Sequence, residues 1–216
     1  MGKSATFADM KIPERKKIAA VGVFCGSSVG ADEVYARVAA ETAAVLAEAG
    51  ITMVYGGGNI GLMGVMADEM LRRGGRVVGV IPEQLLAKEL AHKGVQQMHV
   101  VDGMNTRKAL IWELSDAFVA LPGGYGTLDE IFEMLTQFQL GISDKPCALL
   151  NVNGYYDLLV KQLDYFVQER FLRKEHRDHL LVCSDPANLL PLLISAGTLE
   201  NTSQDWIEAL KTHNRY

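Results

Sequence analysis

Short apolar runs rich in β-branched residues alternate along this chain with longer segments of helical periodicity. The runs fall at 17–25, 51–55, 76–81, 97–101, 117–121, 146–152 and 180–183. The helical patterns occupy 32–49, 62–73, 83–91, 107–114, 128–140, 155–170 and 186–196. The runs are nearly all apolar rather than alternating, as in strands covered on both faces. Strand–helix repetition with short glycine-rich connections predicts an α/β fold: a single-domain, Rossmann-like, doubly wound parallel sheet with helices on both faces. The predicted domain spans 17–197, with a flexible polar segment at 1–16 and a C-terminal extension at 198–216 carrying a short helix near 205–211.

At 216 residues such a domain can bury roughly 70% of the surface its unfolded chain exposes, so folding requires neither a disulfide framework nor a metal. The three cysteines, Cys25, Cys147 and Cys183, are far apart and form no paired motif, which fits a reducing compartment. Met1-Gly2-Lys3-Ser4 matches a loose acylation pattern, but a flexible start with glycine at position 2 is the simpler reading. The first sixteen residues lack the apolar core of a secretion signal, and no run of eighteen apolar residues exists to span a membrane. A cytoplasmic protein is therefore expected. Lys and Arg number 21 against 26 Asp and Glu, a net charge of −5. That balance disfavours a general nucleic-acid binder, so a phosphorylated ligand must find a local positive site.

Ligands of open α/β sheets bind beyond the carboxyl ends of the strands, where strand order reverses. Three post-strand segments therefore matter: Cys25-Gly26-Ser27-Ser28, Gly56-Gly57-Gly58-Asn59-Ile60-Gly61 and Pro122-Gly123-Gly124-Tyr125-Gly126-Thr127. Glycine lets backbone amides approach an anion closely, and a helix opening just after the loop adds free N–H groups and a positive dipole end. Two such loops on one sheet edge point to a nucleotide or sugar phosphate. The spacing Gly56-x-Gly58-x-x-Gly61, with Glu83 about twenty residues on, also meets the dinucleotide fingerprint, so an NAD-binding oxidoreductase is a rival. The match begins at the second strand rather than the first, and it leaves the later glycine loop without a role.

Thr127-x-x-Glu130 has two readings. It matches a capping box, in which hydroxyl and carboxylate satisfy helix amides, and it also puts a carboxylate at the mouth of a phosphate site. Arg107-Lys108 follows the fourth strand; cations at a helix start oppose the dipole unless an anion sits opposite. Cys25 and Ser27 lack a histidine partner and read as turn residues touching the ligand. His176 and His179 read as surface residues. Met63, Met66 and Met70 read as core at helical spacing, Trp112 as packing, and the loop-borne Tyr125 as either packing or base stacking.

Pro122-Gly123-Gly124-Tyr125-Gly126-Thr127-Leu128-Asp129-Glu130 resembles the PGGxGTxxE motif of the Lonely Guy family, the cytokinin riboside 5′-monophosphate phosphoribohydrolases, many of whose bacterial members resemble AMP nucleosidases. The resemblance runs from about residue 18 to 185 and includes Cys25-Gly26-Ser27-Ser28, Tyr55-Gly56-Gly57-Gly58, Glu89-Leu90-Ala91-His92, Leu140-Gly141-Ile142 and Lys145-Pro146. It implies hydrolysis of the N-glycosidic bond of a nucleoside 5′-monophosphate to free base and ribose 5-phosphate, with no cofactor and no metal. It places the catalytic pair on Arg107 and Glu130. Its substrate-binding positions fall on Glu89, Lys108, Gly123, Gly124, Tyr125, Gly126 and Thr127, and Cys25, Gly26, Ser27, Gly57, Gly58 and Met104 complete the expected substrate contacts. It further implies a homodimer with sites near the subunit interface. The family commonly carries histidine where this chain has Asn105, which bears on the leaving base. Some relatives carry a lysine decarboxylase label, but nothing here resembles a pyridoxal-phosphate lysine site. Similar folds serve as molybdenum-cofactor carriers, so a binding protein without chemistry is the second alternative.

Overall fold

The computed structural model describes residues 17–196 apart from 87 and 89, so the expected terminal segments 1–16 and 198–216 lie outside the described residues. Seven strands form one parallel sheet: β1 (Ala20–Phe24), β2 (Thr52–Tyr55), β3 (Val77–Pro82), β4 (Gln97–Val101), β5 (Ala117–Ala120), β6 (Cys147–Leu150) and β7 (Leu180–Cys183). Their spatial order is β4-β3-β2-β1-β5-β6-β7. The chain winds outward from β1 to β4, then returns to the other side of β1 with β5. That reversal makes the carboxyl ends of β1 and β5 the switch point, where the flanking loops separate and leave a crevice. The doubly wound prediction holds.

The helices are α1 (Glu33–Glu48), α2 (Gly61–Arg72), α3 (Glu83–Leu86), α4 (Met104–Leu114), α5 (Tyr125–Gln139), α6 (Asp157–Gln168), α7 (Lys174–His179) and α8 (Leu189–Ala196). Side chains of each strand alternate between two cores. Val21, Val23 and Cys25 of the β1 segment join Leu46, Met66 and Met70 on the face of α1, α2 and α8. Phe24 joins Phe118, Ile111 and Ile131 on the face of α4, α5 and α6. Among the described residues no helix is long and apolar enough to cross a membrane.

Three local expectations give way. The helix expected over 83–91 ends at Leu86. Beyond it, Asn59 N donates to Leu90 O at 3.0 Å and His92 N to Gly57 O at 2.9 Å, so pairing with the β2 loop replaces further helix. Helices α4 and α5 each begin about a turn earlier than their periodicity indicates, because their first turns hold Asn, Thr and Gly, weak helix formers. His176 is buried and the half-buried His179 stacks on Phe138, so neither is a surface residue.

Candidate active site

A cavity of about 410 Å³ opens at the switch point. Its wall combines Cys25, Gly26 and Ser27 after β1, Gly56 and Gly58 after β2, Met104 and Arg107 of α4, and Gly124, Tyr125, Gly126, Thr127 and Glu130 from the β5 loop and α5. Ile60, Met63, Ile81, Leu85 and Leu90 supply an apolar side. Most of the predicted site residues therefore meet in one place. Gly123 lines an adjoining cavity of about 300 Å³ with Ser28, Tyr35 and Tyr155. Gly57 packs behind the wall against Met98 and Ile81, and Glu89 lies outside the described residues. Lys108 does not line the cavity.

The start of α5 is shaped for an anion. Gly124 occupies the N-cap position, and no side chain caps the helix. Thr127 and Glu130 both lie inside the helix, so the capping-box reading of Thr127-x-x-Glu130 is overturned. The first-turn amides and the positive dipole end remain available to a bound group. The loop before α5 is held from several sides. Gly26 N donates to Pro122 O at 3.0 Å, Tyr155 Oη to Gly123 O at 2.7 Å, and Tyr156 Oη to Leu121 O at 2.6 Å. Sequence reasoning missed both tyrosines, because nothing in a Tyr-Tyr pair 32 residues downstream signals contact with this loop. Gly123 is needed for closeness: a Cβ there would lie 2.1 Å from Thr127 Oγ1 and 2.9 Å from Gly26 N.

Arg107 and Glu130 are the charged residues of the wall among the described residues, each only 8% exposed. The Arg107 guanidinium donates from Nη2 to Gly56 O at 3.0 Å and contacts Met104 Sδ at 3.7 Å. Its buried Nε has no hydrogen-bond partner among the described residues. Burial drives the Glu130 carboxyl up to about 7, with Arg107 partly opposing, Asp129 and Glu133 adding to the rise and Lys108 opposing it. A carboxyl so placed changes protonation near neutrality, as a general acid or base requires. Burial pushes the Cys25 thiol far above its usual range, so it is not poised as a thiolate nucleophile.

The dinucleotide fingerprint dissolves in the same geometry. Leu62 N, in the first turn of α2, donates to Gly26 O at 3.0 Å, so that amide is already taken. Gly61 has φ +60, and a Cβ there would lie 2.2 Å from Ser27 C; this glycine packs one loop on another. Met63, read as core, lines the cavity instead, whereas Met66 and Met70 are fully buried. Trp112 packs under the Lys145 ammonium, 4.2 Å from its ring centre. Tyr125, at 96% exposure, stands at the cavity mouth.

A cytokinin riboside 5′-monophosphate phosphoribohydrolase of Rhodococcoides fascians is 46% identical over 166 residues, 76% of this chain and 84% of its own. The chain belongs to this family. Another such enzyme, from Arabidopsis thaliana, is 44% identical over 174 residues, covering 81% of each chain. A family model described as "Possible lysine decarboxylase" matches residues 63–193. That description does not fit the cavity, where no lysine among the described residues lines the wall to form a Schiff base. Among solved structures, a molybdenum cofactor binding protein of Rippkaea orientalis superposes with a TM-score of 0.64 at 23% identity, over 83% of this chain and 97% of its own. The molybdenum-cofactor carrier of Chlamydomonas reinhardtii gives 0.62 at 19%, over 83% and 98%. At these identities the likeness shows the fold alone.

Proposed function

We propose that this protein hydrolyses the N-glycosidic bond of nucleoside 5′-monophosphates, AMP or cytokinin riboside 5′-monophosphates, releasing free base and ribose 5-phosphate. The observation that carries this reading is the convergence of buried Arg107 and Glu130 on one cavity closed by the uncapped start of α5. The 5′-phosphate sits on the first-turn amides of α5, and this remote binding energy orients the ribose. As the bond between C1′ and the base nitrogen breaks, positive charge develops on the sugar and the electron pair leaves with the base. Glu130, ionised, faces that charge and takes a proton from the attacking water. The water oxygen bonds to C1′, and a proton ends on the base nitrogen. Arg107, in the cavity wall, sets its guanidinium charge against the substrate's negative charge. The apolar side formed by Ile60, Met63, Ile81, Leu85 and Leu90 suits an uncharged base. A carrier of molybdenum cofactor needs no carboxyl poised near neutrality, and the high identity lies with the hydrolases rather than with the carriers.

Incubation of the purified protein with AMP and N6-substituted AMP, followed by chromatography, is expected to yield free base and ribose 5-phosphate in equal amounts. No base from any purine or pyrimidine monophosphate would overturn the reading.

We also read the protein as a cytoplasmic homodimer. Exposed Ile60, Met104 and Tyr125 line the cavity, an apolar rim suited to a second copy. Sedimentation velocity is expected to give about twice the 23.6 kDa chain mass. A monomer at micromolar concentration would refute this.

A further inference from the structure

Arg107 and Lys108 are neighbours in sequence, and the resemblance assigns both to the substrate. Consecutive residues on a helix point about 100° apart, so both cannot face one cavity equally. Arg107 turns to Gly56 and the cavity wall. Lys108 turns to α5, where its ammonium lies 3.0 Å from Asp129 Oδ2 and 2.6 Å from Glu133 Oε2. Its side chain is 12% exposed, against 59% and 33% for the two carboxylates. A cation buried this far and committed to two acids is not waiting for a phosphate. Asp129 and Glu133 are four residues apart on one helix and would repel each other without it. Glu130 sits between them in sequence. Helices α4 and α5 share one apolar core through Ile111 and Ile131, and the Lys108 bridge adds a polar tie between them beside the cavity.

We infer that Lys108 is a positioning residue: bridging Asp129 and Glu133, it docks α4 on α5 and so holds Arg107 opposite Glu130. This rests on the hydrolase reading of the site. The charged and titratable groups facing Glu130 are Arg107 and Lys108 from α4, Asp129 and Glu133 from its own helix, and Cys25 from the end of β1. Loss of Lys108 removes one of two cations and leaves two carboxylates unneutralised beside it, which makes Glu130 harder to ionise.

The test compares wild type, Lys108→Met, Lys108→Arg and the triple variant Lys108→Met/Asp129→Asn/Glu133→Gln in AMP hydrolysis against pH. For Lys108→Met the expected kcat loss is about tenfold or more, with KM for AMP within about threefold and the acidic limb of the rate profile moved upward. Lys108→Arg, able to bridge both acids, should recover most of kcat. If Lys108→Met fails to fold, the triple variant decides, since it leaves no unpaired acid. It should lose kcat at nearly constant KM, with the acidic limb close to that of wild type. A KM raised about tenfold or more with an unmoved acidic limb would instead make Lys108 a phosphate ligand and overturn the inference, as would wild-type kinetics in every variant. Melting temperature measured against pH supplies a readout independent of turnover: its acidic transition should move upward in Lys108→Met, and an unmoved transition counts against the inference. If wild type releases no base from any monophosphate, the functional reading falls while the melting data still decide the role of Lys108.

Discussion

Glu130→Gln is expected to be nearly inactive and more stable than the protein it came from. Loss of a positioned acid–base group lowers turnover by about 10²–10⁴-fold, and binding of AMP should survive because the α5 amides are untouched. The stability gain follows from burial. In the folded protein burial pushes the Glu130 carboxyl up to about 7, from an ordinary value of 4.5. The folded state therefore holds its proton more tightly than the unfolded state. Stability from that proton is complete below about pH 4.5, is lost as pH rises toward 7, and above 7 the protein carries a buried carboxylate. A neutral amide avoids that penalty, which is on the order of 3 kcal/mol. In a chain of this size the difference is a rise in Tm of roughly 6 °C or more at pH 8. The gap between variant and wild type should open between pH 4.5 and 7 and stay level above, and wild-type kcat should fall as pH drops through about 7. Calorimetry of both proteins across this range decides the matter. A variant that is destabilised at pH 8 would return Glu130 to the role of a helix cap, and one that keeps its turnover would remove it from the chemistry.

That opposition between cap and catalyst also marks how far the residues alone could be read. The inner strands were legible because they are apolar on both faces, whereas the edge strand β4 carries Gln97 and His99 and is half exposed; the switch point followed from the alternation of strands with helices. Which loops would meet was equally legible: Cys25-Gly26-Ser27, Gly56-Gly57-Gly58 and the Gly123 loop all follow strands, and parallel strands bring their carboxyl ends to one edge. Helix starts were not, since Met104-Asn105-Thr106 and Tyr125-Gly126-Thr127 are helical by tertiary context and not by propensity. One turn of error was enough to make Thr127-x-x-Glu130 look like a cap. Side-chain direction was illegible too. Adjacent Arg107 and Lys108 look alike in sequence and part company only when α4 lies beside both Gly56 and α5. Tyr155 and Tyr156 reach the β5 loop only because β6 lies next to β5.

The same limit explains the dinucleotide fingerprint, and Gly56→Ala tests the explanation. Gly56 is not among the residues with positive φ, so its backbone accepts a side chain without strain. Space is what it lacks: a Cβ would lie 1.7 Å from Arg107 Nη2 and 2.8 Å from Cζ. The obstacle is the far end of a long side chain, which can move, so the fold should survive with a Tm near wild type. The guanidinium, however, must leave its seat on Gly56 O and shift within a buried site. A displacement of about 1 Å in a catalytic group can lower the rate roughly 100-fold, and Gly56→Ala is expected to reduce kcat/KM by about that factor or more. Gly57→Ala is the contrasting variant. Its φ of +74 and its contacts near 3 Å with Met98 and Ile81 predict loss of stability first. Full activity in a folded Gly56→Ala would mean that the position of Arg107 does not matter to the reaction. Weakened NAD binding with unchanged AMP hydrolysis would restore to these glycines the dinucleotide role that their spacing imitates. The geometry favours neither outcome, because the first glycine makes room for an arginine that approaches from a helix fifty residues away.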